Sequence, residues 1–158
     1  MIKKGEEENI LRINELGIVL GSRAILDKIS FDIKEGEMLG IVGISGVGKT
    51  SLLNSIIGYC HISRGTIFYK STRTKKFVSA LENLDNFKKL VGFSAQSPSF
   101  YPELTVIENL EYFSSLYNIP EQIKKQNINR ALELVELQDF VNMPSKNLSG
   151  GMKKRLDI

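Results

Sequence analysis

One cysteine, Cys60, is the whole thiol content of these 158 residues. No internal disulfide can form, which fits a reducing compartment, and within IIGYC the residue reads as a small buried hydrophobe. Long apolar runs are missing too. None approaches about 18 residues, so no segment is expected to span a membrane. The opening MIKKGEEENI has no apolar stretch of the kind a secretory leader needs. Charge of one sign is not concentrated: a net charge of +3, with Lys and Arg scattered, gives no argument for a nucleic-acid partner. Neither an internal repeat nor a low-complexity tract is visible. What remains is a composition ordinary for a globular domain, 42% hydrophobic and 25% charged, with enough chain to bury a core.

Strand patterns fill the first half. Residues 10–14 alternate weakly. ISFDI, residues 29–33, alternates strictly, with Ile29, Phe31 and Ile33 on one face. After the turn KEGE, the continuous apolar run MLGIVG, 38–43, predicts a strand covered on both faces. Thr50 to Gly58 reads as a helix, TIFYK at 66–70 as a strand, and KLVGFSA at 89–95 as a second buried strand. The polar stretch 71–88 reads as a surface insertion, and SPSFYPE, 97–103, as a loop. Thr105 with Glu108 predicts a capping box opening a helix to about Tyr117. A further helix runs from near Pro120 to about Leu137, with Ile128, Ala131, Leu132 and Val135 as its apolar stripe.

The densest chemical signal is GISGVGKTS, residues 43–51. Gly43, Gly48, Lys49 and Thr50 make G-x-x-x-x-G-K-T between an apolar strand pattern and a helix pattern, the setting a phosphate loop requires. Glycines admit backbone angles closed to other residues, so the N–H groups of Ile44, Ser45, Gly46, Val47 and Gly48 can turn inward. With the helix N-terminus they form an anion cradle. Lys49 brings a mobile charge to the β- and γ-phosphates, Thr50 offers a hydroxyl to Mg²⁺, and Ser51 completes the loop. The implied cofactors are ATP and Mg²⁺.

A second glycine loop, LSGGM, residues 148–152, opens a basic helix and follows Lys49 by 100 positions. Between the loops lies Gln96, after an apolar run and before a proline-containing loop. P-loop, then Gln, then LSGG resembles the ATP-binding-cassette (ABC) ATPases, and YPELTVIENL, 101–110, is similar to the segment that follows the Gln in that family. The resemblance runs from about residue 9 to residue 158. It implies an α/β fold: a P-loop NTPase core with an N-terminal antiparallel β part, residues 1–96, and an α-helical signature part, residues 97–158. It also implies a head-to-tail pair of nucleotide-binding domains, in which Leu148, Ser149, Gly150, Gly151 and Met152 of one copy face the nucleotide of the other. Gln96 would reach Mg²⁺ and the attacking water. An integral membrane permease would be the second partner, with this chain peripheral on the cytoplasmic face.

Three departures from the family pattern stand out. Where an aromatic residue commonly stacks on adenine, the position falls near Leu20. Met152 replaces the usual Gln, removing the reciprocal half of a capping box on Ser149. The Walker B strand, with its Asp and catalytic Glu, and the switch His would follow LSGG, beyond the last residue here. Neither Asp157, preceded by MKKRL rather than an apolar strand, nor His61, in a turn, replaces them. The expectation is a truncated or split domain, inactive alone, whose 38–43 strand keeps a bare edge and whose solubility is poor. LSGGM followed by basic residues resembles exporter ATPases with separate membrane subunits. A soluble ABC ATPase of translation or cofactor assembly, and a catalytically dead nucleotide-binding module, are the alternatives. DNA-repair members carry a long insertion that the 53 positions from Gln96 to Ser149 do not accommodate. Phe100 and Tyr101 are candidate exposed aromatics for the permease contact.

Overall fold

The computed structural model describes residues 9–117 and 119–158. They form two compact units, one ending at Gly92 and the other running from Phe93 to Ile158. Gln96 therefore belongs to the second unit.

The first unit is built on a four-stranded antiparallel sheet. Strands β1 (Asn9–Leu20), β2 (Arg23–Lys34), β3 (Arg64–Lys70) and β4 (Phe77–Ser79) lie in the order β2-β1-β3-β4. β1 is central and much longer than its weak sequence alternation predicts. The reason is a bulge. Ile13 pairs with Phe31 and Leu16 with Ile29, so three steps on β1 oppose two on β2. Glu15 takes the left-handed conformation there, φ 47°, and its N–H donates to Ser30 Oγ at 2.7 Å. The extra residue lets Ile13 and Leu16 share one face, where strict alternation would separate them. Both are fully buried, in one cluster with Leu52, Ile67, Tyr69, Ala80 and Phe87. Leu52 comes from α1 (Lys49–Ile56) and Phe87 from α2 (Leu84–Lys88).

Three expectations are corrected here. Residues 71–88 are not a surface insertion: they hold β4 and α2, and Ala80 and Phe87 lie in the core. Three of their four basic residues, Arg73, Lys75 and Lys76, crowd the turn before β4 and masked the apolar ones. Residues 38–43 and 89–95 form no strand. A continuous apolar run reports a preference for burial, but a strand also needs a neighbour's donors and acceptors, and none among the described residues pairs with either run. Met38 is 97% and Val42 93% exposed in consequence. Cys60 is half-buried rather than buried, and its thiol donates weakly to the His61 carbonyl.

The second unit is helical. α3 (Val106–Ser115) starts with the expected capping box: Thr105 Oγ1 accepts the Glu108 N–H, and the Glu108 carboxylate accepts the Thr105 N–H at 2.7 Å. Two more free N–H groups of its first turn, on Val106 and Ile107, donate to the Met143 and Val141 carbonyls. α4 (Glu121–Leu134) follows Pro120, and α5 (Gly150–Leu156) closes the unit. Val106, Ile128, Leu132, Leu137 and Leu148 form the core, with Met152 and Leu156 packed against it.

Candidate nucleotide-binding site

Gly48 is the N-cap of α1 and the reason the loop can turn into the helix. Its φ is 106°, closed to L side chains, and an added Cβ would lie 2.9 Å from Leu26 Cδ2 and 3.3 Å from the Ile25 carbonyl oxygen. The β1–β2 hairpin thus abuts the loop. Gly46 also takes positive φ, at 78°. The first turn of α1 has no side-chain cap and no acidic residue. Its free N–H groups and the positive end of its dipole are left for an anion.

Lys49 folds back across the loop, its Nζ donating to the Gly43 carbonyl at 2.8 Å and the Ile44 carbonyl at 2.7 Å. Those bonds hold the loop arched. Among the described residues no carboxylate neutralises this ammonium. A cradle that would reject a Cβ, an uncapped helix start and an uncompensated cation fit a polyphosphate carried with a divalent ion. Thr50 and Ser51 stand in the first turn of α1 behind Lys49. Leu20, 56% exposed, sits at the tip of the same β1–β2 hairpin, paired with Arg23.

In the second unit, Ser149 is the N-cap of α5: its Oγ accepts the Met152 N–H at 3.2 Å. No reciprocal bond closes at Met152, as expected, and its side chain instead packs toward the helical core. A Cβ on Gly150 or Gly151 would meet nothing within 4 Å, so both present open backbone. Gln96 is exposed in the turn after residue 93. Of the two candidate exposed aromatics, Phe100 is 8% exposed and packs inside the unit, a correction; Tyr101 is 47% exposed. Tyr101 and Tyr112 meet edge to face at 4.9 Å and line, with Pro102, Glu103 and Leu104, an open groove of about 350 Å³. Their hydroxyls are 3.3 Å apart, and that contact with Tyr112 raises the Tyr101 phenol above its ordinary pKa.

Residues 26–158 match the family model described as ABC transporter. The chain belongs to the ABC transporter family. It is 34% identical over 155 residues to the uncharacterized ABC transporter ATP-binding protein YdbJ of Bacillus subtilis, covering 96% of this chain and 46% of that protein. It is 30% identical over 138 residues to the Fe(3+) ions import ATP-binding protein FbpC of Fusobacterium nucleatum, covering 87% of this chain and 35% of that protein. The ABC chain thus spans about half, or less, of the length of these curated relatives. Among solved structures, cbiO1 of Clostridium perfringens, part of the ABC transporter complex cbiONQ, superposes with a TM-score of 0.82 at 24% identity, over 95% of this chain and 59% of that one. That likeness establishes the ABC ATPase fold.

Sequence reasoning missed three residues of this ABC domain. Asn109, 1% exposed, organises the loop after Gln96. Lys154 and Asp157 grip the Gln96 turn from α5. Asp157 is not a metal-ordering residue on a strand; it is the C-cap of α5, with its side chain 2% exposed. The signal for Asn109 was a lone amide on the apolar face of VIENL; Asp157 gave none, because its partners lie about 60 residues upstream.

Proposed function

We propose that this ABC chain forms the MgATP-binding part of a membrane transporter's motor, with export as the direction of transport. The observation that carries the reading is the cradle of residues 43–50: left-handed glycines, an uncapped helix start and Lys49 held on the loop's own carbonyls. Bound MgATP would supply the triphosphate charge that draws two such domains together; hydrolysis to ADP and inorganic phosphate, followed by departure of that phosphate, would remove the γ-phosphate's share of it. Within this chain, the 44–50 N–H groups and Lys49 take the phosphates, and Thr50 and Gln96 contribute oxygen ligands to the magnesium. Leu20 offers adenine an apolar but not a stacking surface. Gln96 also orients the attacking water.

The same reading places the 148–152 loop of one copy against the triphosphate held by a second nucleotide-binding domain, with Ser149, Gly150 and Gly151 toward it and the Leu148 and Met152 side chains anchored in the helical core. The open backbone at Gly150 and Gly151 supports that role, since no atom of this unit occupies the space. The partner in the membrane is an integral permease, and the Tyr101–Tyr112 groove suits an apolar segment of its cytoplasmic side. Among the described residues no helix is long and apolar enough to cross a membrane; the proposed place is the cytoplasmic face, held by that permease. The LSGGMKKR run, by its resemblance to exporter ATPases, supports the direction.

Calorimetric titration of the natural full-length protein with MgATP tests the reading. Lys49→Ala is expected to lose binding by at least about 100-fold, the loss of a charge-assisted contact to phosphate. Undiminished affinity would overturn it. Reduced ATP-driven substrate accumulation in inverted vesicles of a deletion strain bearing Lys49→Ala is expected; reduced uptake in intact cells would reverse the direction.

A further inference from the structure

The turn that carries Gln96 is held from α5 at both of its ends. Asp157 Oδ1 accepts the Ser99 N–H at 2.6 Å, and Oδ2 accepts the Ser94 hydroxyl at 3.0 Å. Three residues earlier on the same helix, Lys154 Nζ donates to Ser94 Oγ at 2.8 Å and to the Ala95 carbonyl at 2.8 Å. Lys154 and Asp157 also pair, at 3.6 Å. All five contacts lie within the second unit. They bracket Gln96, which is itself exposed, between Ala95 and Ser99.

Exposure does not explain a carboxylate at this position: the Asp157 side chain is 2% accessible. Burial pushes its carboxyl pKa up, yet the Ser99 N–H, the Ser94 hydroxyl and the Lys154 charge together hold it below its ordinary value. Everything that stabilises the charge therefore comes from the turn, except Lys154, and Lys154 reaches the turn as well. At its other end α5 begins with Ser149 and the open glycines. One continuous helical stretch, Gly150–Leu156, about 10 Å long, joins Ser149 to Asp157.

We propose that Asp157 and Lys154 are positioning residues that fasten the Gln96 turn to α5, so that a displacement of the Ser149 end of the helix is transmitted to Gln96. The inference rests on the reading of Gln96 as a magnesium- and water-orienting amide. A hydrogen-bonded clamp is suited to the task, because it fixes both flanks of the turn and leaves the Gln96 side chain itself free to engage.

The test is ATP hydrolysis and amide exchange on the natural full-length protein in its assembled transporter. Asp157→Ala is expected to lower kcat about tenfold with KM for MgATP changed less than about twofold, because orientation rather than ground-state binding is lost. Asp157→Asn, which still accepts the Ser99 N–H, is expected to recover to within about threefold of wild type. In a Gln96→Ala background, Asp157→Ala is expected to change kcat by less than about twofold, the non-additivity of residues acting through one another. The Ser99 amide should exchange faster in Asp157→Ala. Lys154→Met, at an exposed side chain that the fold tolerates losing, should shift kcat in the same direction by a smaller factor and guards against misfolding of the first variant. Faster exchange at Ser99 with unchanged kcat would overturn the coupling, as would equal losses in both backgrounds. Wild-type kcat in Gln96→Ala would remove the Gln96 reading and the coupling with it, and slow Ser99 exchange in Asp157→Ala would show instead that the clamp itself is wrong.

Discussion

Asn109 pairs with the backbone of Tyr101 as a neighbouring strand would. Its Oδ1 accepts the Tyr101 N–H at 2.7 Å, and its Nδ2 donates to the Tyr101 carbonyl at 3.0 Å. The same amide nitrogen also faces the Leu104 and Thr105 carbonyls and Ser145 Oγ, so its two hydrogens are shared among four acceptors. One buried side chain thus ties the start of α3, the loop bearing Tyr101 and the turn at Ser145. Asn109→Leu leaves those groups unpaired and is expected to cost about 2–4 kcal/mol, read as a shift in the urea midpoint of the unfolding transition. Asn109→Asp should do worse than its size change implies, since it turns an anion toward three carbonyl oxygens.

Gly48→Ala is expected to damage the loop by two routes at once. A Cβ meets Leu26 and the Ile25 carbonyl, and the φ of 106° is strained for alanine. A loss of about 1–3 kcal/mol in stability is expected, with MgATP affinity falling at least about tenfold as the cradle opens. Calorimetry on Gly48→Ala and Gly36→Ala together separates the two effects: Gly36 also has positive φ, at 73°, but no neighbour within 4 Å.

Ser149→Ala is expected to cost about 1 kcal/mol, the value of an N-cap hydrogen bond. Met152→Gln restores the missing half of the capping box but withdraws an apolar side chain from the helical core. The two effects oppose, and the expected net change is within about 0.5 kcal/mol. A denaturant titration of both variants checks the pair; a large gain in Met152→Gln would mean the methionine contributes nothing to packing.

The acid limb of stability should report Asp157. Its folded pKa lies below the ordinary value of 3.8, so the unfolded chain binds the proton more readily. The carboxylate therefore contributes stability in full above that ordinary value, and the contribution is lost as pH falls through the lower, folded value. Asp157→Asn should flatten the profile in that window. Melting temperatures measured from pH 6 down to about pH 2.5 give the comparison, and an unchanged slope would count against the clamp.

Val42→Lys is expected to raise the solubility of the 158-residue chain without lowering its melting temperature, since Val42 is 93% exposed. Light scattering during a thermal ramp compares this variant with the unsubstituted chain.

Local chemistry was legible before any coordinates. The phosphate loop, the Thr105–Glu108 capping box and the Ser149 cap are each written in residues a few positions apart, because the groups that pair are neighbours along the chain. The α4 stripe was legible for the same reason: Ile128 and Leu132 recur at helical spacing and are buried together. The runs 38–43 and 89–95 misled because a strand is a relation between two segments, and apolarity states only one side of it. The 71–88 stretch misled because its buried members, Ala80 and Phe87, are outnumbered by lysines and asparagines along the sequence.

The sequence by itself determined where the glycine loop and its lysine would fall and where the helices at 50, 105 and 120 would start, since those depend on backbone freedom, caps and periodicity within a few residues. Tertiary structure alone decided that Ile13 and Leu16 share a face across a bulge, that Phe100 turns inward, and that Asp157 reaches back to Ser94 and Ser99. Each of those depends on what distant segments bring into contact, and a carboxylate at the end of a helix carries no mark of the N–H it will meet.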